Sequence, residues 1–115
     1  MKFKRMQIDK LCGRWNRSQG RFERYIVQET GYQGETVIDG KSYVLELFKL
    51  ADGWRLGIYG MLFWKDMHFR TISEAEEGAE QAFRDYLFWQ GDENLRRQEY
   101  EYKRYSKQSV LELPG

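Results

Sequence analysis

The chain contains one cysteine, Cys12, and one histidine, His68, so the residues best suited to metal binding and nucleophilic chemistry are scarce. With 115 residues it can bury a core without disulfides or a structural metal. Nothing in the spacing brings Cys12 beside His68. Asp66, two positions before His68, falls on the same side of a strand, but no third ligand follows at a metal-binding spacing. We therefore expect no catalytic residue, no metal site and no cofactor.

Long apolar runs are also missing. No stretch reaches the length of a signal-peptide core or of a membrane span. Together with the single cysteine, this predicts a cytoplasmic protein that does not enter a membrane. Neither a G-x-x-x-x-G-K-[ST] loop nor a G-x-G-x-x-G loop occurs, so the sequence gives no support to nucleotide use.

Aromatic residues, by contrast, are abundant, with four Trp, eight Tyr and seven Phe making up 17% of the chain. Charged residues make up 32%, enough to keep such a chain in solution. This composition is typical of a globular protein and not of a disordered one. The length fits one domain, and we predict a single domain over residues 1–115.

Charge is distributed unevenly, although the formal net charge is only +1. Residues 1–24 contain eight basic side chains and two acidic ones, a net charge of +6. Residues 73–93 contain seven acidic side chains and one basic one, a net charge of −6. Either the two segments pack together and offset each other, or the basic segment binds phosphates. We favour the first interpretation, because a total of +1 is low for a dedicated nucleic-acid-binding protein.

The amino-terminal segment has two readings. Four apolar residues recur there at roughly helical spacing, namely Phe3, Met6, Leu11 and Trp15. They predict a helix that ends at "RSQG", residues 17–20, although "KFKRMQI" also alternates like a strand. Aromatic and β-branched residues in "RFERYIVQE", residues 21–29, predict a strand. "GYQGE" is expected to interrupt this strand before "TVI" resumes it.

Two Asp-Gly dipeptides punctuate the next segment. Asp39-Gly40 favours a two-residue hairpin turn, because both central residues need positive φ, and "ADG" at residues 51–53 predicts a second turn. The flanking runs alternate, which puts apolar residues on one face: Tyr43, Leu45 and Leu47 in one strand, and Trp54, Leu56 and Ile58 in the next. These features predict an antiparallel meander.

A helix should cover the apolar face of this sheet. Ser73 and Glu76 match the capping-box pattern, and Gly91 is a typical helix end, so the helix is expected from about Glu74 to Gln90. Its apolar stripe has helical spacing: Ala75, Ala79, Ala82, Phe83, Tyr86 and Leu87. A further helix, capped by Asp92, is predicted in "DENLRRQEYEYKRYSKQ", which combines aromatic and basic residues. The predicted fold class is α+β: an antiparallel meander of four to five strands, a helix on one face and helical segments at both termini.

The stretch "DGWRLGIYGMLFWKDMHFRTISEAEEGAEQAF", residues 52–83, is a hairpin that ends in Phe-x-Thr and is followed by a helix beginning Ser-x-Ala. It resembles a β-β-α unit of small proteins from phages and other mobile elements, anti-CRISPR inhibitors among them. The resemblance implies a short stand-alone protein, without a catalytic site, that acts by presenting a surface. It assigns no functional residue.

Two functional classes follow from these observations. The first is a non-enzymatic protein-binding module or inhibitor, with a protein partner or a second copy of the chain on an aromatic surface formed by Tyr59, Phe63, Trp64, Phe88 and Trp89. The alternative is nucleic-acid binding, in which sheet aromatics stack on bases and the amino-terminal segment contacts phosphates through Lys2, Lys4, Arg5, Lys10, Arg14 and Arg17.

Overall fold

Six strands precede two helices in the computed structural model, which describes residues 1–63 and 67–112 apart from the side chains of residues 92 and 107–112. In chain order they are β1 (Lys4–Asn16), β2 (Arg21–Ile38), β3 (Lys41–Leu50), β4 (Gly53–Ile58), β5 (Met61–Leu62), β6 (His68–Phe69), α1 (Ile72–Gln90) and α2 (Asp92–Glu112). Neighbouring strands pair antiparallel in the order β1-β2-β3-β4, and β4 also pairs with both β5 and β6. The predicted α+β class and meander are confirmed, as is a helix at the carboxyl end.

Two tight turns shape the centre of the sheet. Asp39 and Gly40 have φ of 52° and 78°, so the predicted hairpin turn between β2 and β3 is confirmed. Tyr59 and Gly60, with φ of 53° and 75°, form a second left-handed turn between β4 and β5. No sequence pattern predicted the Tyr59–Gly60 turn, because tyrosine seldom adopts positive φ.

The core lies between one face of β2–β4 and helix α1. Its fully buried sheet residues are Leu45, Leu47, Leu56 and Ile58, and the buried face of α1 consists of Ala75, Ala79, Phe83 and Tyr86. The Phe83 ring lies 4.9 Å from that of Tyr43 and 5.9 Å from that of Phe63. The small residues allow α1 to approach the sheet at its start, and the rings fill the space at its end. The predicted apolar stripe is thereby confirmed, with Ala82 and Leu87 at its half-buried margin.

Helix α1 begins two residues earlier than the capping-box prediction. Thr71 is the N-cap, and its Oγ1 accepts the Glu74 N–H at 3.1 Å. The Glu74 carboxylate accepts the backbone N–H of Arg70 at 3.0 Å. Prediction of Ser73 as the cap is therefore wrong, because a second Ser/Thr-x-x-Glu pattern overlaps the first. At the other end Gly91, with φ of 70°, donates its N–H to the Leu87 carbonyl, which confirms the predicted stop.

The predicted amino-terminal helix is wrong, because this segment is strand β1, paired with β2 from Lys4 to Asn16. Ile8 and Leu11 are both buried although they are three residues apart. In a strand, residues three apart lie on opposite faces, so both faces of β1 are buried in this region. Ile8 packs over Gly31, whereas the Leu11 N–H donates to the Gly60 carbonyl at 2.8 Å. Because β1 is buried on both faces, its apolar residues recur at a spacing similar to that of a helix.

Strand β2 runs without a break from Arg21 to Ile38, so the predicted interruption at "GYQGE" is also wrong. Gly31 lies within the strand because the Ile8 side chain and the Leu47 carbonyl approach it too closely for a Cβ. The glycine that suggested a break instead permits close packing within the sheet.

The basic amino-terminal segment does not pack along the acidic helix as we had favoured. Within the described residues, its hydrogen bonds to α1 come from Met1 and Phe3 alone. The Met1 ammonium group donates to the Glu76 carbonyl at 2.9 Å, and the Phe3 N–H donates to the Glu76 carboxylate at 3.0 Å. The rest of the segment extends along β1 and into the start of β2, which pairs its basic residues with strand neighbours instead.

Candidate functional site

The outer half of the β1–β2 hairpin combines basic and aromatic side chains. We call residues 12–25 the arm; their cross-strand pairs run from Cys12–Tyr25 to Asn16–Arg21 at the tip. The arm contains four arginines and one glutamate: Arg14, Arg17, Arg21, Arg24 and Glu23. Trp15 and Phe22 are 60% and 55% exposed, and Tyr25 is exposed as well. Such rings on a solvent-facing strand pair are available to a ligand.

One face of the arm presents aromatic rings. Trp15 and Phe22 form a cross-strand pair, and Gly13 pairs with Arg24 on the same face. The Phe22 ring covers Gly13, and the Arg24 guanidinium lies 5.2 Å from the centre of that ring. Because Gly13 has no side chain, the Phe22 ring can lie flat against the strand. The result is an apolar platform edged by a cation.

The opposite face of the arm presents arginines around one carboxylate. Glu23 accepts from the Asn16 amide nitrogen at 2.8 Å and from Arg14 Nε at 3.3 Å. Arg21 lies 3.6 Å from the same carboxylate. These contacts, that of Asn16 first, lower the pKa of Glu23, so this carboxylate is ionised at neutral pH. The Arg14 guanidinium also lies 5.8 Å from the centre of the Tyr25 ring.

The tip of the arm is fixed by Asn16. Its Oδ1 accepts from the Ser18 hydroxyl at 2.8 Å and from the Gln19 N–H at 3.2 Å. Because its Nδ2 donates to Glu23, a single side chain connects the turn with the arginine face. The arm is therefore ordered before any ligand arrives, which lowers the entropy cost of binding.

A cleft of about 640 Å³ separates the arm from the carboxyl-terminal part of α2. Arm residues supply most of its wall, and α2 adds Arg104 and Tyr105. The Arg104 guanidinium lies 5.7 Å from the centre of the Tyr105 ring. Four arginines and three aromatic rings thus line one concave surface: Arg14, Arg21, Arg24, Arg104, Phe22, Tyr25 and Tyr105.

The base of the arm is connected to the rest of the fold at the Tyr59–Gly60 turn. Besides accepting from Leu11, Gly60 donates its N–H to the Glu46 carboxylate at 3.1 Å. The Tyr102 side chain of α2 packs against Gly60 and donates its hydroxyl proton to Asp9 of β1 at 2.8 Å. Strands β1 and β3 and helix α2 therefore meet at one turn, which sets the position of α2 relative to the arm.

Glu46 is a buried carboxyl group within this junction, with 7% of its surface exposed. Burial raises its pKa to about 7, and the negative charge of Asp9 acts in the same direction. The Gly60 N–H opposes this shift only in part. Tyr102 likewise has a raised pKa, chiefly because it is buried and also because it donates to Asp9. We interpret this group of side chains as structural, because it joins β1, β3 and α2 at one turn.

The predicted aromatic protein-binding surface is brought together only in part. Phe88 and Trp89 are 81% and 76% exposed near the end of α1, with their rings 5.3 Å apart. Phe63 is 5% exposed and packs 4.5 Å from the Tyr86 ring, so its assignment to an exposed surface is wrong. Tyr59 is half-buried and hydrogen-bonded to Glu99, with its pKa raised mainly by burial. The remaining member of the set, Trp64, lies outside the described residues.

The predicted nucleic-acid-binding residues are divided along β1. Lys2, Lys4 and Arg5 are exposed at its start, Lys10 is half-buried, and Arg14 and Arg17 are exposed in the arm. Arg14 lies nine positions after Arg5 along the strand, a distance of roughly 30 Å, so the six residues form no single patch. The sequence analysis missed the neighbours of Arg14 from β2 and α2. Alternation of basic and aromatic residues in "RFERY", opposite "GRWNR" in a hairpin, is the signal that reveals them.

The structure gives His68 and Cys12 ordinary surroundings. His68 Nε2 lies 3.2 Å from the exposed Asp52 carboxylate, and its sequence neighbour Asp66 lies outside the described residues. The Cys12 thiol faces its local backbone, 3.8 Å from the Lys10 carbonyl. In the described part of the chain, no three potential ligands come together in a way that could bind a metal ion.

Within those same residues, neither helix is long and apolar enough to cross a membrane. Comparisons with family models, with curated proteins and with solved structures found no match. Function must therefore be argued from the geometry of the arm and of the exposed end of α1.

Proposed function

We propose that this protein binds single-stranded nucleic acid through the arm and the adjoining cleft. The observation that carries the proposal is the concave surface that α2 and the arm form together, lined by four arginines and three aromatic rings. Among the three aromatics, Phe22 and Tyr25 come from the arm. Cations and exposed rings in one groove are the combination that single-strand-binding proteins use.

The arginines supply the contacts to phosphate. A guanidinium group presents N–H donors in a planar fork that matches two phosphate oxygens and stays charged at all physiological pH values. Arg14 and Arg21 have side chains 70% and 66% exposed, so both can reach a backbone that lies in the cleft. Arg104 approaches the same space from α2.

The aromatic rings favour single strands over duplexes. Bases in a duplex are stacked on each other and cannot lie on a protein ring, whereas unpaired bases stack on Trp, Tyr or Phe with little dependence on sequence. Trp15 and Phe22 form an exposed pair on the aromatic face, close to the arginines but pointing away from Glu23. Because Phe22 also lines the cleft, a nucleic-acid strand whose phosphates lie in the cleft can place its bases on this pair.

The proposal is tested by fluorescence anisotropy with labelled single strands of about 15 nucleotides and duplexes of about 15 base pairs. This length spans a typical binding site. We expect affinity for single strands to fall with salt, with a log–log slope of about −2 if three phosphates are contacted. Trp15→Ala with Phe22→Ala should weaken single-strand binding by about 1–3 kcal/mol per stacked base. It should leave any weak duplex binding unchanged.

Two matched triple variants distinguish binding by the arm from a general effect of positive charge. Arg14, Arg21 and Arg24→Ala removes three positive charges from the arm, and Lys2, Lys4 and Arg5→Ala removes three from the start of the chain. We expect the first set to abolish the salt-dependent binding and the second to reduce it only modestly. Equal losses in both, or no binding by the unaltered protein at low salt, would show that the proposal is wrong. Thermal melting of each variant controls for unfolding.

A second candidate is a protein-binding inhibitor that uses the exposed end of α1. The observation in its favour is the 81% and 76% exposure of Phe88 and Trp89, beside a cleft of about 460 Å³ that is also lined by Lys41 and Arg84. Exposed Trp and Phe side chains next to cations are frequent anchors of protein interfaces. The resemblance of residues 52–83 to small phage proteins agrees with this role.

The second candidate is tested by Phe88→Ser with Trp89→Ser. Sedimentation of the unaltered protein shows whether these residues join two copies, and affinity capture from nuclease-treated lysate shows whether they bind another protein. Loss of a dimer or of a captured protein in the variant, with nucleic-acid binding intact, would assign this surface to protein binding. Unchanged sedimentation and capture would exclude this candidate function.

A further inference from the structure

Glu23 occupies the centre of the arginine face of the arm. It is the one acidic residue among the four arginines of residues 12–25. Donors from both strands surround its carboxylate: Asn16 at 2.8 Å, Arg14 at 3.3 Å and Arg21 at 3.6 Å. Its side chain is 24% exposed, whereas those of the two arginines are 70% and 66% exposed. The Glu23 side chain is therefore less exposed than the two arginine side chains that contact it.

This arrangement resembles the one that a bound phosphate requires. Arginine pairs with carboxylate and with phosphate through the same forked N–H donors, so the two anions compete for them. A phosphate group that entered the cleft from solvent would meet Arg14 and Arg21 already paired with Glu23. Their pairing is weak, since ion pairs between exposed side chains are screened by solvent and contribute little. Exchange of one anion for the other is thus accessible at room temperature.

We propose that Glu23 is an internal counter-ion at the phosphate-binding position of the cleft, and that it makes the site selective for single strands over other polyanions. The inference rests on the proposed function of the arm. Because a ligand must draw Arg14 and Arg21 away from Glu23, phosphate contacts alone yield little affinity. A single strand adds base stacking on the Trp15–Phe22 platform, whereas a duplex does not.

The competing reading is that Glu23 only orders the arm. In that case it would preorganise the arginines, and its removal would weaken binding. The two readings therefore predict opposite signs for the same substitution. Glu23→Gln keeps the size of the side chain and an oxygen that can accept from Asn16, but it removes the charge that pairs with the arginines.

The test compares the unaltered protein with Glu23→Gln and with a matched control, Glu35→Gln. Glu35 is an exposed carboxylate on the same strand, β2, so both variants gain one unit of positive charge. The probes are a labelled oligothymidylate and a mixed-sequence duplex, each titrated at several salt concentrations. Unfolding midpoints of all three proteins are measured in parallel.

We expect Glu23→Gln to bind the single strand roughly threefold to tenfold more tightly, the range that one or two exposed ion pairs allow. The duplex, which relies on phosphate contacts without base stacking, should gain more than the single strand, so the preference for single strands falls. The log–log salt slope on the single strand should steepen by about 0.7, because one more phosphate contact is no longer offset. Glu35→Gln should change affinity by less than about twofold, as expected for one distant, screened charge.

Two results would overturn the inference and leave the proposed function standing. One is binding by Glu23→Gln that equals that of Glu35→Gln, and the other is weaker binding by Glu23→Gln with a normal melting midpoint. In both cases the unaltered protein still binds single strands. Absence of binding by all three proteins would instead refute the proposed function and the inference together.

Discussion

The buried carboxyl group of Glu46 predicts an unusual dependence of stability on pH. Its pKa is raised from an ordinary value of 4.5 to about 7, mainly by burial. Between these two values the folded state binds a proton that the unfolded state has already released. The free energy of unfolding must therefore fall as pH rises through this interval. This contribution is fully present below pH 4.5 and is lost by about pH 8.

The magnitude follows from the distance between the two pKa values. Each pH unit corresponds to about 1.4 kcal/mol, so ionised Glu46 costs the folded state about 3 kcal/mol at pH 8. The charged and titratable groups that contribute here are Asp9, which disfavours ionisation of Glu46, and Tyr102, which stays protonated over this range. The Gly60 N–H favours ionisation but does not cancel the cost of burial.

Glu46→Gln removes this proton equilibrium while keeping an oxygen that can accept the Gly60 N–H. Urea denaturation of both proteins between pH 5 and pH 8.5 gives the free energy of unfolding of each as a function of pH. We expect stability of the unaltered protein to decline relative to the variant by about 2.5 kcal/mol across that range, since part of the contribution is already lost at pH 5. All other groups titrate alike in both proteins, so the difference isolates Glu46. Parallel curves would show that Glu46 ionises normally and that the reasoning is wrong.

Two further predictions concern the cap of α1 and the contact between α2 and β1. Thr71→Ala should lower the free energy of unfolding by about 1 kcal/mol, because Thr71 accepts the Glu74 N–H. Ser73→Ala should change it little. Equal effects of the two variants in urea denaturation would contradict this assignment of the cap. Tyr102→Phe should lower the free energy of unfolding by about 1 kcal/mol and accelerate hydrogen exchange of the Leu11 N–H, because the hydroxyl group bonded to Asp9 of β1 is lost. An unchanged exchange rate would show that this hydrogen bond is dispensable.

Local signals in the sequence predicted the centre of the fold well. Asp39-Gly40 specified a hairpin, and the alternation around Leu45 and Leu56 identified the buried face of the sheet. The stripe that includes Ala79 and Phe83 identified the buried face of α1. Each of these features depends on residues close in sequence and on one buried face, which is the condition under which periodicity can be interpreted.

The amino-terminal half could not be predicted in the same way. Ile8 packs beside Gly31 of β2, and Leu11 is hydrogen-bonded to the Tyr59–Gly60 turn. These contacts join residues far apart in sequence, so the local pattern of β1 does not predict them. Gly31 likewise indicates a break only when the approach of Ile8 is unknown.

The candidate site shows the same division. Positive charge at the start of the chain was evident from the sequence, and Arg14 was included among the candidates for that reason. Its partners, however, are set by the register that pairs Arg14 with Glu23 and by the approach of Arg104 from α2. Phe63 was misassigned because an aromatic residue in a strand gives no sign of which face is covered. The partners of Arg14 and the burial of Phe63 both depend on strand pairing and packing, which the sequence alone does not determine.

The bond between Tyr102 and Asp9 also has a consequence for the order of folding. It joins residues 93 positions apart, and the contact between Met1 and Glu76 joins residues 75 positions apart. The β1–β2 hairpin can form as soon as its two strands leave the ribosome, because its contacts are local. Its contacts with α1 and α2 must wait until those helices have been synthesised. A nascent chain therefore exposes the aromatic and basic side chains of the arm before the cleft beside α2 exists.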